Sequence, residues 1–307
     1  MRADTGDLGY LRKPPAPREP SFWQSPAGRR LAWTEYGDPA GRPLIYCHGW
    51  PSSRLQAALL DQAARERGLR VLAIDRPGMG RSDRQAGRAL RDWPPLLAAF
   101  ADAQGIVDFL QLGVSGGGPY VLACAAMLPE RVAASAVLCG AVPLAGGMRR
   151  GLHPVYRLLI PLRHLPHAWF TPGLRIAARS AAGPPDKPPV SWLLATLPRP
   201  DRELLMQNRE ALQVIAGSFS EGVRQGGRCV MEDAAIYLHD WQLPLDRIER
   251  PIRYWHGGAD RHISAGLARA FVSGIPHARL DVDPGEGHFS LAVHRMCDAL
   301  DHLAAAG

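Results

Sequence analysis

Between residues 29 and 138, short apolar runs alternate with segments of helical spacing. Such runs, flanked by turn residues, are typical of strands buried on both faces in a parallel sheet that helices cover. The same alternation resumes at residue 251, so the sequence predicts an α/β fold with a mostly parallel, doubly wound sheet. The predicted strands are 30–36, 43–47, 70–74, 109–114, 134–139, 251–256 and 279–282, and the predicted helices of this part are 55–66, 93–104, 117–128, 265–273 and 290–305.

Residues 142–243 differ from the rest of the chain. They are rich in Pro, Arg, Trp and Leu, contain no strand pattern, and show helical spacing over 201–206, 209–224 and 227–240. We therefore predict a helical cap inserted into a core of residues 21–141 and 244–307. Residues 1–20 carry prolines and charges without the apolar stretch of a secretion signal, which predicts a mobile N-terminal arm.

Composition excludes several classes of protein. Apolar residues make up 46% and charged residues 21% of the 307 residues, which is the usage of globular proteins and not of disordered or fibrous chains. No run approaches the roughly 18 apolar residues that a membrane-spanning helix needs. The net charge is +7, but the 36 basic residues are spread along the chain without a basic run. We therefore expect neither a nucleic-acid nor a membrane partner.

The number and spacing of the cysteines indicate the cellular compartment. The chain has five cysteines, which is an odd number, and no C-x-x-C pair. This pattern argues against a disulfide framework and against a zinc knuckle. We therefore expect a protein of the reducing cytoplasm.

The sharpest local motif is GVSGG at residues 113–117, directly after one predicted strand and directly before a predicted helix. In this strand, G-x-S-x-G, helix context, a tight turn exposes the serine above the sheet edge, and small neighbours let strand and helix pack closely. Ser115 is therefore the candidate nucleophile. A phosphate-binding turn is the alternative, but neither G-x-G-x-x-G nor a P-loop pattern is present here.

A serine nucleophile needs a base, and the base needs a carboxylate that orients it. The segment YWHGGADRH, residues 254–262, ends a predicted strand and places Asp260 on a loop, and PGEGHF, residues 284–289, places His288 on another. Glu286 is an alternative acid, although so short a loop would direct it to solvent. A metal cluster of His256, Asp260 and His262 is a second alternative, but its spacing matches no zinc pattern.

With these motifs in the order Ser, Asp, His, residues 29–303 resemble an α/β-hydrolase superfamily member with a helical cap. The resemblance implies a triad of Ser115, Asp260 and His288 that works without a cofactor or metal. It also implies that HGWP, residues 48–51, supplies the Trp50 backbone N–H, which joins that of Gly116 as an oxyanion hole. His48 would then hold this loop, and Asp75 would be structural.

The serine at the elbow narrows the reaction. Epoxide hydrolases and haloalkane dehalogenases of this fold use an aspartate there, whereas a serine suits acyl transfer. We therefore expect hydrolysis of a small to medium carboxylic ester. Hydrolysis of a lactone, an amide or a carbon–carbon bond, perhydrolysis, and a silent ligand receptor remain alternatives. The residues predicted to contact the substrate are Trp50, Trp169, Trp192, Met206 and Tyr237.

Overall fold

Eight strands form one sheet in the computed structural model, which describes residues 8–11, 15–145, 169–181 and 183–306. The strands are β1 (Ser21–Gln24), β2 (Arg30–Gly37), β3 (Arg42–Cys47), β4 (Leu69–Ile74), β5 (Phe109–Val114), β6 (Val132–Leu138), β7 (Ile252–Gly257) and β8 (Ala278–Asp283). Their order across the sheet is β1-β2-β4-β3-β5-β6-β7-β8. The strands from β3 to β8 pair in parallel, while β1 and β2 pair antiparallel. The predicted fold class is confirmed.

The edge strand β1 is the strand that the sequence did not predict. It has four residues, three of them exposed. An edge strand this short has no buried face to produce an apolar alternation, so its pattern resembles that of a loop.

The helices follow the predicted pattern with local differences. They are α1 (Asp61–Glu66), α2 (Trp93–Ala103), α3 (Gly118–Met127), α4 (Phe170–Ala181), α5 (Val190–Ala195), α6 (Arg199–Gln207), α7 (Arg209–Gly222), α8 (Gly227–Tyr237), α9 (Ala265–Val272), α10 (Phe289–His294) and α11 (Met296–Ala304). The predicted helix 55–66 is a 3₁₀ helix over Arg54–Leu60 followed by α1, and the predicted helix 290–305 is divided at Arg295. Among the described residues, no helix is both long and apolar enough to cross a membrane.

Two apolar layers cover the two faces of the sheet. Successive residues of a strand point to opposite faces. Ile45 of β3 therefore packs in the cluster that contains Phe100 of α2, whereas its neighbour Leu44 packs in the cluster that contains Leu300 of α11. Helices thus bury both faces of the inner strands, such as β4 and β5, which explains why these strands are mainly apolar. The edge strand β8 has no fully buried residue.

Helices α4 to α8 lie within residues 169–181 and 183–243. We call these residues, together with residues 142–145, the cap. Residues 146–168 and 182 of the predicted insertion lie outside the described residues. The cap and the core share an apolar cluster that includes Leu59 of the core and Leu205 of the cap.

Where the structure describes the predicted N-terminal arm, its residues contact the rest of the protein. Leu11 lies in the same apolar cluster of cap and core and is 1% exposed. Arg18 donates a hydrogen bond to the backbone carbonyl of Glu35 and stacks over the ring of Tyr36. Residues 1–7 and 12–14 lie outside the described residues. Burial of one leucine and one cation–π contact therefore attach the described part of this segment to the body.

The topology places two loops side by side. The chain runs from β3 outward to β4 and then returns to β5 on the other side of β3, so β3 and β5 are neighbours at the point where the strand order reverses. Ligands of open α/β sheets bind beyond the carboxyl ends of the strands at such a point. The loop after β3 and the turn after β5 carry Trp50 and Ser115, respectively.

Candidate active site

Ser115 occupies a strained turn between β5 and α3. Its φ is +53°, a left-handed conformation that is uncommon for residues other than glycine and clusters at functional sites. A Cβ on Gly117 would lie 1.9 Å from the carbonyl oxygen of Cys47, and one on Gly113 would lie 2.8 Å from Val121 Cγ2. Glycine at both positions therefore permits the close strand–helix approach that presents this serine.

Asp260 and His288 are in direct contact. Asp260 follows β7 and His288 follows β8, and the carboxyl ends of these two neighbouring strands meet at one edge of the sheet. The Nδ1 atom of His288 lies 2.7 Å from Asp260 Oδ2. The other carboxylate oxygen accepts the backbone N–H groups of His262 at 2.7 Å and Ile263 at 3.0 Å. Asp260 thus holds a proton on Nδ1 and leaves Nε2 of His288 available as a base.

The electrostatics of this pair favour a charged aspartate. Burial by itself raises the pKa of Asp260, but the attraction of His288 and the hydrogen bond from it dominate and lower the pKa to about 2. Burial also lowers the pKa of His288, and Asp260 offsets this effect, so that the pKa of His288 lies above its ordinary value. An imidazolium that forms here during a reaction is therefore stabilised.

Ser115 and His288 line one cavity of about 700 Å³ between the core and the cap. The lining is predominantly apolar and includes residues from both parts of the chain: Tyr46, Trp50, Leu59, Val142, Leu144, Trp169, Leu174, Ile215, Phe219, Val230, Met231, Ala234, Tyr237, Leu238, Ile263, Phe289 and Val293. None of the described residues that line it is Asp, Glu, Lys or Arg. A neutral, largely apolar ligand fits such a surface, since an unpaired charge would lose its hydration there.

Trp50 and Gly116 are adjacent at the base of this cavity. A Cβ on Gly116 would lie 3.1 Å from the backbone nitrogen of Trp50 and 2.8 Å from Trp50 Cβ. The hydroxyl of Tyr237, from the cap, donates a hydrogen bond of 3.0 Å to the Gly116 carbonyl. A cap residue therefore contacts the turn that carries the candidate nucleophile.

A buried arginine holds the loop that contains Trp50. Arg76 donates to the carbonyl oxygens of His48 and Gly49, the latter at 2.9 Å. His48 Nδ1 donates to the Gly49 carbonyl at 2.9 Å, and its Nε2 accepts the backbone N–H of Arg76. Burial and the nearby Arg76 lower the pKa of His48, so this imidazole is neutral. As the sequence predicts, the contacts of His48 are those of a residue that supports the loop.

Sequence and structure comparisons identify the family to which this fold belongs. The family model described as the alpha/beta hydrolase fold matches residues 42–294.

The chain belongs to the α/β-hydrolase fold family.

A non-heme haloperoxidase from Rhodococcus erythropolis is 35% identical to this α/β-hydrolase over 119 residues, which is 38% of this chain. The match spans 42% of the length of that curated relative. A carboxylesterase structure from the thaumarchaeon Nitrososphaera gargenis superposes with a TM-score of 0.68 at 19% identity and covers 93% of this chain and 98% of that one. A Rhodococcus esterase gives a TM-score of 0.67 at 20% identity and covers 94% and 99%. At these identities, the two structures show the fold.

The structure does not bring all predicted substrate contacts to the cavity. Trp50, Trp169 and Tyr237 line it, but Trp192 and Met206 are absent from its described lining. Trp192 is 70% and Met206 50% exposed. These two side chains lie away from the described lining because α5 and α6 direct other side chains inward, among them Leu194 and Leu205.

Glu286 also differs from the prediction. It is half-buried and not directed into solvent, and its Oε1 lies 2.9 Å from His294 Nδ1. Burial raises the pKa of Glu286, but its hydrogen bonds with His294 and Ser290 outweigh burial and lower it. Glu286 thus has its own imidazole partner, and the carboxylate that contacts His288 Nδ1 is Asp260.

The alternative metal cluster of His256, Asp260 and His262 is not among the groups of close ligand atoms in the described residues. His256 Nε2 donates to the carbonyl of Ile263 at 2.8 Å, so that atom carries a proton and not a metal. Among the described residues, the set of ligand atoms within 4.8 Å of one another is that of Cys139, Asp260 and His288. Two of these residues already form the buried hydrogen bond described above.

The contacts of Asp75 are those of a residue that stabilises the fold. Its Oδ1 accepts the backbone N–H of Arg54 at 2.7 Å, and its Oδ2 binds the Arg54 guanidinium at 2.7 Å and the backbone N–H of Arg81 at 2.9 Å. Gly80 leaves no room for a Cβ against this carboxylate. These contacts stabilise the turn after β4.

Two buried cap residues contact the site, although the sequence did not predict that they would. Asp201 of α6 contacts the backbone of the His288 loop, and Asp233 of α8 contacts Arg76. Neither residue belongs to a local motif, and each contact joins parts of the chain far apart in sequence. Each helix carries other charged residues, such as Glu203 and Glu232, so the sequence does not single out Asp201 or Asp233.

Proposed function

We propose that this chain is a serine hydrolase that cleaves small to medium carboxylic esters through an acyl-enzyme. The observation that carries the proposal is the buried hydrogen bond of 2.7 Å between Asp260 and His288, at a cavity that Ser115 also lines. An oriented imidazole and a strained serine that line one cavity are the groups that activation of a hydroxyl nucleophile requires.

In the first half of the reaction, His288 Nε2 takes the hydroxyl proton of Ser115, and Ser115 Oγ attacks the ester carbonyl carbon. The backbone N–H groups of Trp50 and Gly116 stabilise the oxyanion, each contributing about 3–4 kcal/mol. The carbon–oxygen bond to the alcohol then breaks, and His288 gives its proton to the leaving alkoxide.

In the second half, water attacks the acyl carbon while His288 takes one of its protons. The bond between the acyl carbon and Ser115 Oγ breaks, the proton returns to Oγ, and the carboxylic acid leaves. Asp260 keeps the imidazole in the tautomer with the proton on Nδ1 and stabilises the imidazolium.

The cavity supports a neutral substrate. A volume of about 700 Å³ lies within the range of sites for single small molecules. The described lining is mainly apolar and contains the two imidazoles of His262 and His288 but no Asp, Glu, Lys or Arg. Esters with an apolar acyl or alcohol part would bury that surface on binding.

A fluorophosphonate probe tests the proposal, because it phosphonylates an activated serine without requiring the right substrate. We expect one labelled residue in the wild type, Ser115, and no labelling of Ser115→Ala. A panel of p-nitrophenyl esters then defines the acyl group. A folded wild type that neither reacts with the probe nor cleaves any ester would support a silent receptor.

Perhydrolysis is a second candidate function, and the similarity to a non-heme haloperoxidase favours it. In this reaction, hydrogen peroxide replaces water as the attacking group on the acyl-enzyme. The acyl carbon gains a bond to peroxide oxygen and loses its bond to Ser115 Oγ, the peroxide proton passes through His288 to Oγ, and a peracid leaves. Bromination of a dye with acetate, bromide and hydrogen peroxide, lost in Ser115→Ala, would demonstrate it.

A further inference from the structure

The carboxylate of Asp201 is fully buried and lies against the loop of His288. Asp201 is in the first turn of α6, in the cap, and is 0% exposed. Its Oδ2 accepts the backbone N–H of His288 at 3.0 Å, and its Oδ1 accepts those of Phe289 and Ser290, both at 2.9 Å. One cap side chain therefore binds three consecutive backbone groups, beginning at the candidate base itself.

These contacts provide hydrogen-bond acceptors for backbone N–H groups of the core. The helix α10 begins directly after His288, and the first N–H groups of a helix have no partner within the helix. The carboxylate of Asp201 provides that partner and its negative charge suits this end of a helix. Gly287 makes room for it, because a Cβ there would lie 2.3–2.5 Å from the Asp201 carboxylate atoms.

We propose that Asp201 is a positioning residue for His288: the cap supplies the carboxylate that fixes the backbone from which the catalytic imidazole projects. This inference rests on the proposed function of His288 as the general base. Asp201 acts through the backbone of the loop and does not line the cavity in the described structure. The cap is then part of the catalytic apparatus as well as the cover of the substrate.

A second cap carboxylate provides a contrast. Glu221 of α7 also crosses from the cap to the core, where its Oε1 binds Arg54 at 2.8 Å and Arg81 at 3.0 Å. It does not contact the loops of Ser115, Asp260 or His288 in any described interaction. Glu221 therefore matches Asp201 as a cap-to-core contact but lacks its connection to the imidazole.

The charge of Asp201 should affect the pKa of His288, which a residue with only a packing role would not do. Among the described residues, the titratable groups near His288 besides Asp260 are Asp201, Cys139, His256 and His262. The ring centroid of His262 lies 4.7 Å from that of His288. Burial lowers the pKa of His288, while Asp260 and, more weakly, Asp201 raise it. Removing the negative charge of Asp201 should therefore lower the pKa of His288.

The test compares Asp201→Asn with two controls, Glu203→Gln and Glu221→Gln. Glu203→Gln removes a charge from the exposed side of the same helix, and Glu221→Gln removes a cap-to-core contact away from His288. We expect Asp201→Asn to lower kcat by about 10²-fold, as a displaced catalytic group does, with a change in KM of less than about threefold. Both controls should retain wild-type kcat at a temperature where all variants are folded.

The second readout is the titration of His288, followed by NMR of labelled histidine and assigned with His288→Ala. It needs no substrate, so it tests Asp201 even if ester hydrolysis itself fails. We expect a lower pKa in Asp201→Asn and an unchanged pKa in both controls. If Asp201→Asn does not fold, Asp201→Glu keeps the charge but displaces the loop, and kcat should fall without a lower pKa.

Two results would overturn the inference. One is an Asp201→Asn variant with wild-type kcat and wild-type titration of His288. The other is an equal loss of kcat in Glu221→Gln, since Asp201 would then only hold the cap in place. A wild type that neither reacts with fluorophosphonate nor cleaves any ester would refute the proposed function instead, and the NMR titration would still report on Asp201.

Discussion

Arg76 and Asp233 form an ion pair of 2.9 Å in which the two side chains are 1% and 0% exposed. The pair joins the core to the cap, because Arg76 follows β4 and Asp233 belongs to α8. Arg76 also binds the carbonyls of His48 and Gly49, and Asp233 accepts the Tyr120 hydroxyl at 2.8 Å and binds Arg88. The loop that carries Trp50 thus depends on a carboxylate of the cap.

Asp233→Asn should destabilise the fold by about 3–5 kcal/mol, because it leaves the buried charges of Arg76 and Arg88 without a counter-ion. The adjacent Glu232 is the matched control. It pairs with Arg84 and Arg228 near the surface, so Glu232→Gln should cost less than about 1 kcal/mol. Urea unfolding measures both free energies, and equal losses would show that the buried network contributes little.

The three candidate catalytic residues should behave as one unit. Ser115→Ala, His288→Ala and Asp260→Asn should each lower kcat by about 10³-fold or more, and the triple variant should lose little more than the worst single variant. Glu286→Gln is the control, since its carboxylate pairs with His294, and it should keep most of the activity. An active Asp260→Asn beside an inactive Glu286→Gln would reverse the assignment of the acid.

Activity should depend on the protonation of His288. A general base works when neutral, so kcat/KM should rise with pH as His288 loses its proton. Because the pKa of His288 lies above the ordinary value of 6.5, we expect the midpoint of this rise above pH 6.5. In Asp260→Asn the residual activity should rise at lower pH, since burial then acts on His288 without the opposing carboxylate. Initial rates across pH measure both midpoints, and a wild-type midpoint below 6.5 would contradict this electrostatic account.

The cavity should set the preference for acyl chain length. We expect p-nitrophenyl esters of short to medium chain to be the best substrates and triglyceride emulsions to be poor ones. Phe219→Ala should enlarge the cavity and improve longer esters, by about fourfold in kcat/KM for each CH₂ newly buried. Trp192→Ala, on the exposed surface of the cap, should leave the preference unchanged. Rates that climb with chain length in the wild type and jump at an oil surface would indicate a mobile lid.

Local patterns were enough to predict the sheet and the order of the candidate triad. The strands around Ser115, Asp260 and His288 are buried on both faces or bounded by glycine turns, and both features act over a few neighbouring residues. The edge strand β1 was not predicted because its four mostly exposed residues carry no such pattern.

Contacts between distant residues were decided by the tertiary structure. Asp201 lies 87 residues from His288 and Asp233 lies 157 residues from Arg76, so no local spacing could pair them. The same reason explains why the sequence does not predict where the side chains of Trp192, Met206 and Glu286 lie. An aromatic, apolar or acidic residue on a short helix or loop fits several faces equally well. Only the packing of the cap against the core determines which carboxylate meets an arginine or a backbone N–H, because burial forces each buried charge to find a partner.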